Sequence, residues 1–492
     1  MIDLSLLLSV GRRIETHRPW PGIEADPVAW AGAIDGLAAG DLTLLSVWGE
    51  PGRIHMALLG SVDPPVAVLS LACDDGRYPA VSRLHPPAIR LERTVRDLYG
   101  LEPVGLPDTR PWLDHGRWTG ATPPAADYPF LPVEGDGLHQ IPVGPVHAGI
   151  IEPGHFRFTC DGETVVRLEE RLGYLHKGID ALLTGADLGK AARIAARTSG
   201  DSTVAYSLGF ARAVEAALGV AVPPRAVWLR AVMAELERIA NHFGDFGAIC
   251  NDASFSMMLA HCAVLRERVL RAAAICFGHR LMMDRIVPGG VTADLDRTGD
   301  AMLRALVVDL GAKFRPLVKL YDNTASLQDR TVTTGILKPE LARRFGAGGY
   351  VGRASGRNFD ARRMPGYPPY DSLRFEVPVL TEGDVNARAW IRIREIEQSL
   401  SLLEQLLRGL PTGPVSVPVP GGSGAGVALV ESFRGDVLVW LRIADGVVER
   451  CHLRDPSWFT WPLLEAVIEG NIVADFPLCN KSFNCSYSGT DL

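Results

Sequence analysis

Leu229, Val232, Leu236, Ile239 and Phe243 recur at alternating steps of three and four, which places all five on one side of a helix. Such a stripe needs a second apolar surface to cover it. Pro223-Pro224 marks the entry to this helix, so the spacing predicts it over Arg225 to Phe243. The rhythm returns in Ile393, Ile396, Leu400, Leu403 and Leu407, predicting another helix near residues 386–409, and stretches at about 178–218, 255–282 and 297–321 are helical in composition. Several such helices covering one another imply a bundle.

Strand patterns flank the bundle. Leu42 to Trp48, Ile54 to Leu59 and Val66 to Leu71 are short β-type runs spaced by Gly, Pro and Asp, as in a meander, and a helix is expected over about Ala88 to Tyr99. Phe156 to Phe158 and Thr164 to Arg167 flank Asp161-Gly162, a good hairpin pair. β character returns from about residue 415, with a strand at Val437 to Ile443. The reading is an α+β chain with a small α+β domain at 1–115, a Pro/Gly-rich linker at 116–140, and a helical domain with peripheral hairpins at 141–492.

At 47% hydrophobic and 22% charged residues the composition is that of a globular protein. A net charge of -7 gives no reason to expect nucleic acid as a partner. Long apolar spans are absent, and Leu4 to Val10 has no basic residues before it, so the expected location is cytoplasmic. The eight cysteines contain no Cys-x-x-Cys and read as free thiols, with Cys479 and Cys485 too few for a structural zinc site. The Gly421 to Gly426 run lacks the spacing of a dinucleotide loop, which argues against NAD binding by this chain.

Longer motifs stand in order along the chain: Glu152-Pro-Gly-His-Phe-Arg157, Arg171-Leu-Gly-Tyr-Leu-His-Lys-Gly178, Glu235-Leu-Glu-Arg-Ile-Ala-Asn-His242, Arg353-Ala-Ser-Gly356 and Phe375-Glu-Val-Pro-Val379. On these, residues 140 to 492 resemble the large subunit of membrane-bound group 4 nickel–iron hydrogenases and its relative, the D subunit of respiratory complex I. Through Glu92-Arg93, Asp97-Leu-Tyr-Gly100 and Pro107-Asp-Thr-Arg110 the N-terminal unit resembles the complex I C subunit. The whole resembles the C–D fusion of formate hydrogenlyase large subunits.

In those hydrogenases two Cys-x-x-Cys pairs ligate the metals. The resemblance puts Ser199, Ser202, Ser486 and Gly489 at these positions, with Cys485 one residue out of register. Soft thiolates suit nickel and iron; a serine hydroxyl of high pKa does not. The expectation is therefore no metal and no cofactor in this chain. Hydrogenase large subunits usually carry a removable tail, and an end at Leu492 fits the lack of metal insertion.

Complex I uses the equivalent place to reduce a quinone, with a histidine and a tyrosine as hydrogen-bond donors. Here Pro153 and Gly200 stand at those positions. His147, Glu152, His155 and Tyr206 are the candidate residues lining an acceptor site, since an imidazole beside a carboxylate can relay protons. His242 reads as an interhelical hydrogen-bonding residue, Arg330, Arg353, Asp360 and Arg362 as ion-paired residues, and His176 and Lys177 as facing solvent or a partner.

The resemblance implies an oxidoreductase subunit peripheral on the inner face of the cell membrane. It would take electrons from an iron–sulfur small subunit, like the complex I B subunit, and pass them to a quinone-like or other acceptor, beside the membrane subunits of an ion-translocating arm. The alternative is a non-catalytic coupling or structural subunit of such a complex.

Overall fold

The structure is a computed structural model and describes residues 3–116, 128–147 and 151–492. The helix Pro224–Asp252, 29 residues long, runs through the bundle with Pro224 in its first turn. It outlasts its predicted end because Phe246, Ile249 and Cys250 continue the buried stripe. Ser256–Phe277, Arg297–Asn323 and Val385–Gly409 form the other long helices, close to their predicted bounds. The stretch read as helical over 178–218 is three helices, Ile179–Leu183, Leu188–Ala195 and Thr203–Leu218. Gly185, at φ 78°, ends the first, and the second break holds Ser199 to Ser202.

Near the N-terminus the expected meander is present. Thr43–Glu50, Arg53–Leu59 and Val66–Ala72 pair antiparallel, and Gly22–Ala25 adds in parallel beside the last of them. The helix Pro27–Ala39, capped by the Asp26 carboxylate accepting from Ala29 N, had no clear signal in its Ala- and Gly-rich sequence. A second sheet is built by Gly424–Glu431, Asp436–Ala444 and Val447–Arg454, with His17–Arg18 paired on its edge. The two sheets meet through Leu45, Trp48, Val68, Val427, Leu438 and Trp440, so the N-terminal unit is sealed to the last strands of the chain by apolar burial.

The Gly421 to Gly426 run has a packing explanation. The helix Thr203–Leu218 lies so close on the strand that a Cβ at Gly426 would come within 1.9 Å of the Ala213 carbonyl. This contact fixes the second half of that helix over the sheet. The hairpin His155–Asp161 with Thr164–Arg171 gains a third strand, Leu138–Val143, whose first residues fall in the stretch read as linker. Seven of the eight free thiols are buried and Cys276 is partly so. No helix among the described residues is long and apolar enough to cross a membrane.

Candidate functional site

The break before the helix Thr203–Leu218 and the turn at the end of the chain meet in the interior. Ser199 Oγ and Ser486 Oγ lie 2.9 Å apart although 287 residues separate them. Ser199 also donates to Asp201 Oδ1 at 2.9 Å, and Ser486 Oγ accepts from Gly489 N at 3.0 Å. Three of the four positions singled out from the sequence carry hydroxyls, and the fold brings all four positions together. Ser199, Ser202 and Ser486 are almost fully buried.

A salt bridge closes this cluster. Arg434 grips Asp201 with both terminal nitrogens, at 2.7 and 2.5 Å, and donates to Ser202 Oγ at 3.1 Å. Its Nε donates to the Asn484 carbonyl at 2.6 Å, tying the pair to the C-terminal turn. Burial pushes the Asp201 carboxyl up, but the guanidinium and the two serine hydroxyls outweigh it and hold the group below the usual range. Arg434 and Asp455 had no signal in the sequence, because composition does not distinguish a buried arginine or aspartate from the many exposed ones.

Tyr206 is fully buried and donates to Asp455 Oδ2 at 2.7 Å. Burial, then the Asp455 charge, raises its hydroxyl pKa well above the ordinary value, so it stays a proton donor. Asp455 also borders Gly489, where a Cβ would meet Oδ2 at 2.6 Å. Glu152 reaches the same turn from the hairpin side, accepting from Ser488 N at 3.1 Å. Glu152 thus touches the segment that carries Ser486 and Gly489 directly, and Tyr206 reaches it through Asp455.

His155 and His147 sit farther out. Gly144 O lies 3.1 Å from His155 Nδ1, Arg157 Nε donates to Nε2, and Phe130 packs on the ring at 5.0 Å. Burial, with Arg157 adding to it, lowers the pKa of this imidazole. His147 is half-buried in the loop beyond Val143, beside Gly144. Cys485 points to Thr460 Oγ1 at 3.3 Å, and burial pushes its thiol pKa up, as for a packing residue.

Lys177 is exposed, as read, and His176 partly so, but both also bond within the chain. Asp491 O lies 2.7 Å from His176 Nδ1, and Lys177 Nζ donates to the carbonyls of Arg197 and Thr198. Asp491 accepts from Gly173 N and Leu175 N, and burial pushes its carboxyl up to about 6. These bonds hold the terminal turn against the residue before Ser199. His242 makes the interhelical bond expected of it, to Glu395 Oε2 at 2.7 Å, and Arg353, Arg362 and Arg330 are ion-paired.

The buried site thus has two parts, one from a helix entry and the other from the last turn, and comparison with known proteins gives its class. The chain belongs to the family that includes formate hydrogenlyase subunit 5 and the D subunit of NADH-quinone oxidoreductase. Residues 252–423 match the family described as respiratory-chain NADH dehydrogenase, 49 Kd subunit, and residues 52–132 match the corresponding 30 Kd subunit, so this is a C–D fusion of an oxidoreductase family. Formate hydrogenlyase subunit 5 of Escherichia coli is 33% identical over 84% of this chain and 77% of its own length. A carbon monoxide-induced hydrogenase of Rhodospirillum rubrum is 32% identical over 72% of this chain and 99% of its own. Among solved structures, a chain of the membrane-bound sulfane sulfur reductase, an archaeal respiratory membrane complex, superposes with a TM-score of 0.68 at 26% identity, covering 74% of this chain and all of that one.

Proposed function

We propose that this chain is a subunit of a membrane-associated, hydrogenase-related or complex I-like oxidoreductase, passing electrons from an iron–sulfur partner subunit to a quinone-like organic acceptor without a nickel–iron centre. The observation that carries the reading is the Ser199–Ser486 hydrogen bond, which joins two positions where the hydrogenases have thiolates. The donors present do not fit the bimetallic group. Ser199 and Ser202 are committed to Asp201 and Arg434, and a side chain at Gly489 would collide with Asp455. Hydroxyls of high pKa are poor ligands for soft metals. Relatives named for formate, carbon monoxide, quinone and sulfane sulfur support a common scaffold serving different partners.

In this reading the acceptor is held by hydrogen bonds at the rim of the serine cluster. Tyr206, backed by Asp455, is the buried proton donor; Glu152, His155 and His147 line the approach from the hairpin. Donors of this kind stabilise the oxyanion that develops as an acceptor takes electrons. Membrane subunits of an ion-translocating arm complete the assembly and hold this chain at the inner face of the membrane.

Elemental analysis of the purified complex is expected to find no stoichiometric nickel; one nickel per complex would overturn the reading. His155→Ala is expected to slow electron transfer to a soluble quinone analogue more than His176→Ala, and equal, negligible effects would remove His155 from the relay. A second reading, a non-catalytic coupling role, draws on the mutual pairing of Ser199, Ser486, Asp201 and Arg434. Unchanged quinone-analogue reduction in Tyr206→Phe would favour it.

A further inference from the structure

A small cavity of about 20 Å³ lies where the helix Thr203–Leu218 meets the helix Pro224–Asp252 and the segment from Tyr367 to Tyr370. A single water needs roughly 10–15 Å³ of such space, so this cavity takes one small particle and excludes a substrate-sized molecule. Leu208, Val227, Ala231, Tyr367 and Tyr370 make most of the wall. Two guanidiniums, those of Arg212 and Arg230, supply its charge.

The two are satisfied very differently. Arg230 is held by both oxygens of Glu215, at 3.0 and 2.6 Å, and by the carbonyls of Val287 and Gly290. Arg212 makes no hydrogen bond or ion pair among the described residues: its Nε is enclosed without a partner, and its terminal nitrogens, which are not enclosed, face the cavity with no acceptor. Glu215, the acid that acts on Arg212 from one turn along the same helix, is turned to Arg230 and also accepts from Gly289 N. The Tyr367 ring lies 4.8 Å from the Arg212 guanidinium, which offsets part of the charge but accepts none of the N–H groups in the guanidinium plane. Burial lowers the Arg212 pKa, Tyr367 and Glu215 raise it by less, and Arg230 adds repulsion. Further out, Tyr370 donates to Glu235, which Arg362 and Arg238 already hold. Two guanidiniums therefore share one carboxylate at the cavity. The excess is positive, and donors are left over where buried polar groups ordinarily find partners.

We propose that this cavity is a binding site for one small monovalent anion of halide size, held by the terminal nitrogens of Arg212. Such an ion supplies the missing acceptor and offsets the excess charge in a wall that is otherwise apolar. A cation would meet two guanidiniums, and sulfate or phosphate is too large for the space. Because three segments form the walls, the bound ion ties the helix Thr203–Leu218, whose entry carries Ser202 and Tyr206, to the helix and loop beside it.

Melting temperatures of the full chain in sodium chloride, sodium bromide, sodium sulfate and sodium gluconate at equal ionic strength test this. Chloride and bromide are expected to raise the midpoint along a saturating curve, by about 1–2 °C at roughly ten times the dissociation constant, and sulfate and gluconate are expected not to. Arg212→Gln is expected to remove the difference between chloride and gluconate. As that variant can also disturb the helix packing, the second arm uses the parent chain: crystals grown in sodium bromide are expected to show an anomalous peak within hydrogen-bond reach of the Arg212 terminal nitrogens. Equal midpoints in chloride and gluconate, a chloride effect that persists in Arg212→Gln, or no bromide at Arg212 would overturn the proposal. A bromide peak without any shift in midpoint would be an adventitious ion only, and would overturn it too.

Discussion

Glu235 and Glu237 stand two residues apart on the helix Pro224–Asp252, both buried, and the turn of the helix points them to different sides. Glu235 faces a saturated ionic network. Arg362 donates to it at 3.0 Å, Tyr370 and Ser399 donate at 2.6 Å, and Arg238 lies 3.4 Å away. Burial pushes its pKa up, but the two guanidiniums prevail and hold it below the ordinary range. Glu237 faces the serine cluster and accepts from Val204 N and Ala205 N at the start of the preceding helix, Thr203–Leu218. There burial prevails, Asp201 adds repulsion, and the carboxyl is pushed up to about 8. The two sides of one helix therefore carry opposite protonation, and the deciding quantity is the number of guanidiniums within reach.

The largest effect is expected on the ionic side. Arg353 binds Glu395 at 2.7 Å and Glu431 at 2.8 Å, with Asp360 at 3.6 Å, all within a fully buried cluster. Arg353→Leu leaves acids without their countercharge, and breaking a buried pair in this way costs about 3–5 kcal/mol. Urea unfolding at neutral pH is expected to show a loss of that order. A loss under about 1 kcal/mol would mean the remaining arginines can hold the acids, and the network would not be the rigid half of the comparison.

Glu237 gives the next test. A carboxyl whose folded pKa lies above its unfolded value binds more protons when folded. Its contribution is complete below about pH 4.5 and is lost as the pH rises through about 8, by at most about 4–5 kcal/mol from the size of the shift. Glu237→Gln fixes the group in a neutral form and is expected to flatten the fall in stability between pH 6 and 9, read by melting temperature across that range. A variant that keeps the parent's slope would show that Glu237 ionises normally, and the contrast with Glu235 would vanish.

How much of this was legible follows the same division. The apolar stripes gave the Val385–Gly409 helix at both ends and the start of Pro224–Asp252 within a residue or so, but stopped well short of that helix's end at Asp252. The three meander strands followed from β-type runs between turn residues. The helix Pro27–Ala39 was missed because its Ala- and Gly-rich sequence carries little polarity contrast between faces. At the site, Ser199, Ser202, Ser486 and Gly489 were found through the family resemblance, and their convergence is visible only in three dimensions. Arg434 and Asp455 were not found, since the turn Phe433-Arg434-Gly435-Asp436 looks like any exposed turn. Pairings between distant residues leave no local periodicity to read.

The smallest effect is expected in the serine cluster itself. Ser199→Ala removes one donor from Asp201 and one partner from Ser486, while Arg434 still holds Asp201 with two hydrogen bonds and Gly489 N still donates to Ser486. The neutral bond to Ser486 contributes about 0.5–1.5 kcal/mol and the bond to the charged Asp201 about 1.5–3 kcal/mol, so a loss of about 2–3 kcal/mol is expected in urea unfolding. That is below the cost at Arg353, and it carries a physical reason for how this fold can lack thiolates here: the replacing groups are small, mutually satisfied and weakly coupled to the packing around them. A loss as large as that of Arg353→Leu would place the serine cluster among the elements that hold the two chain segments together, and would turn the comparison round.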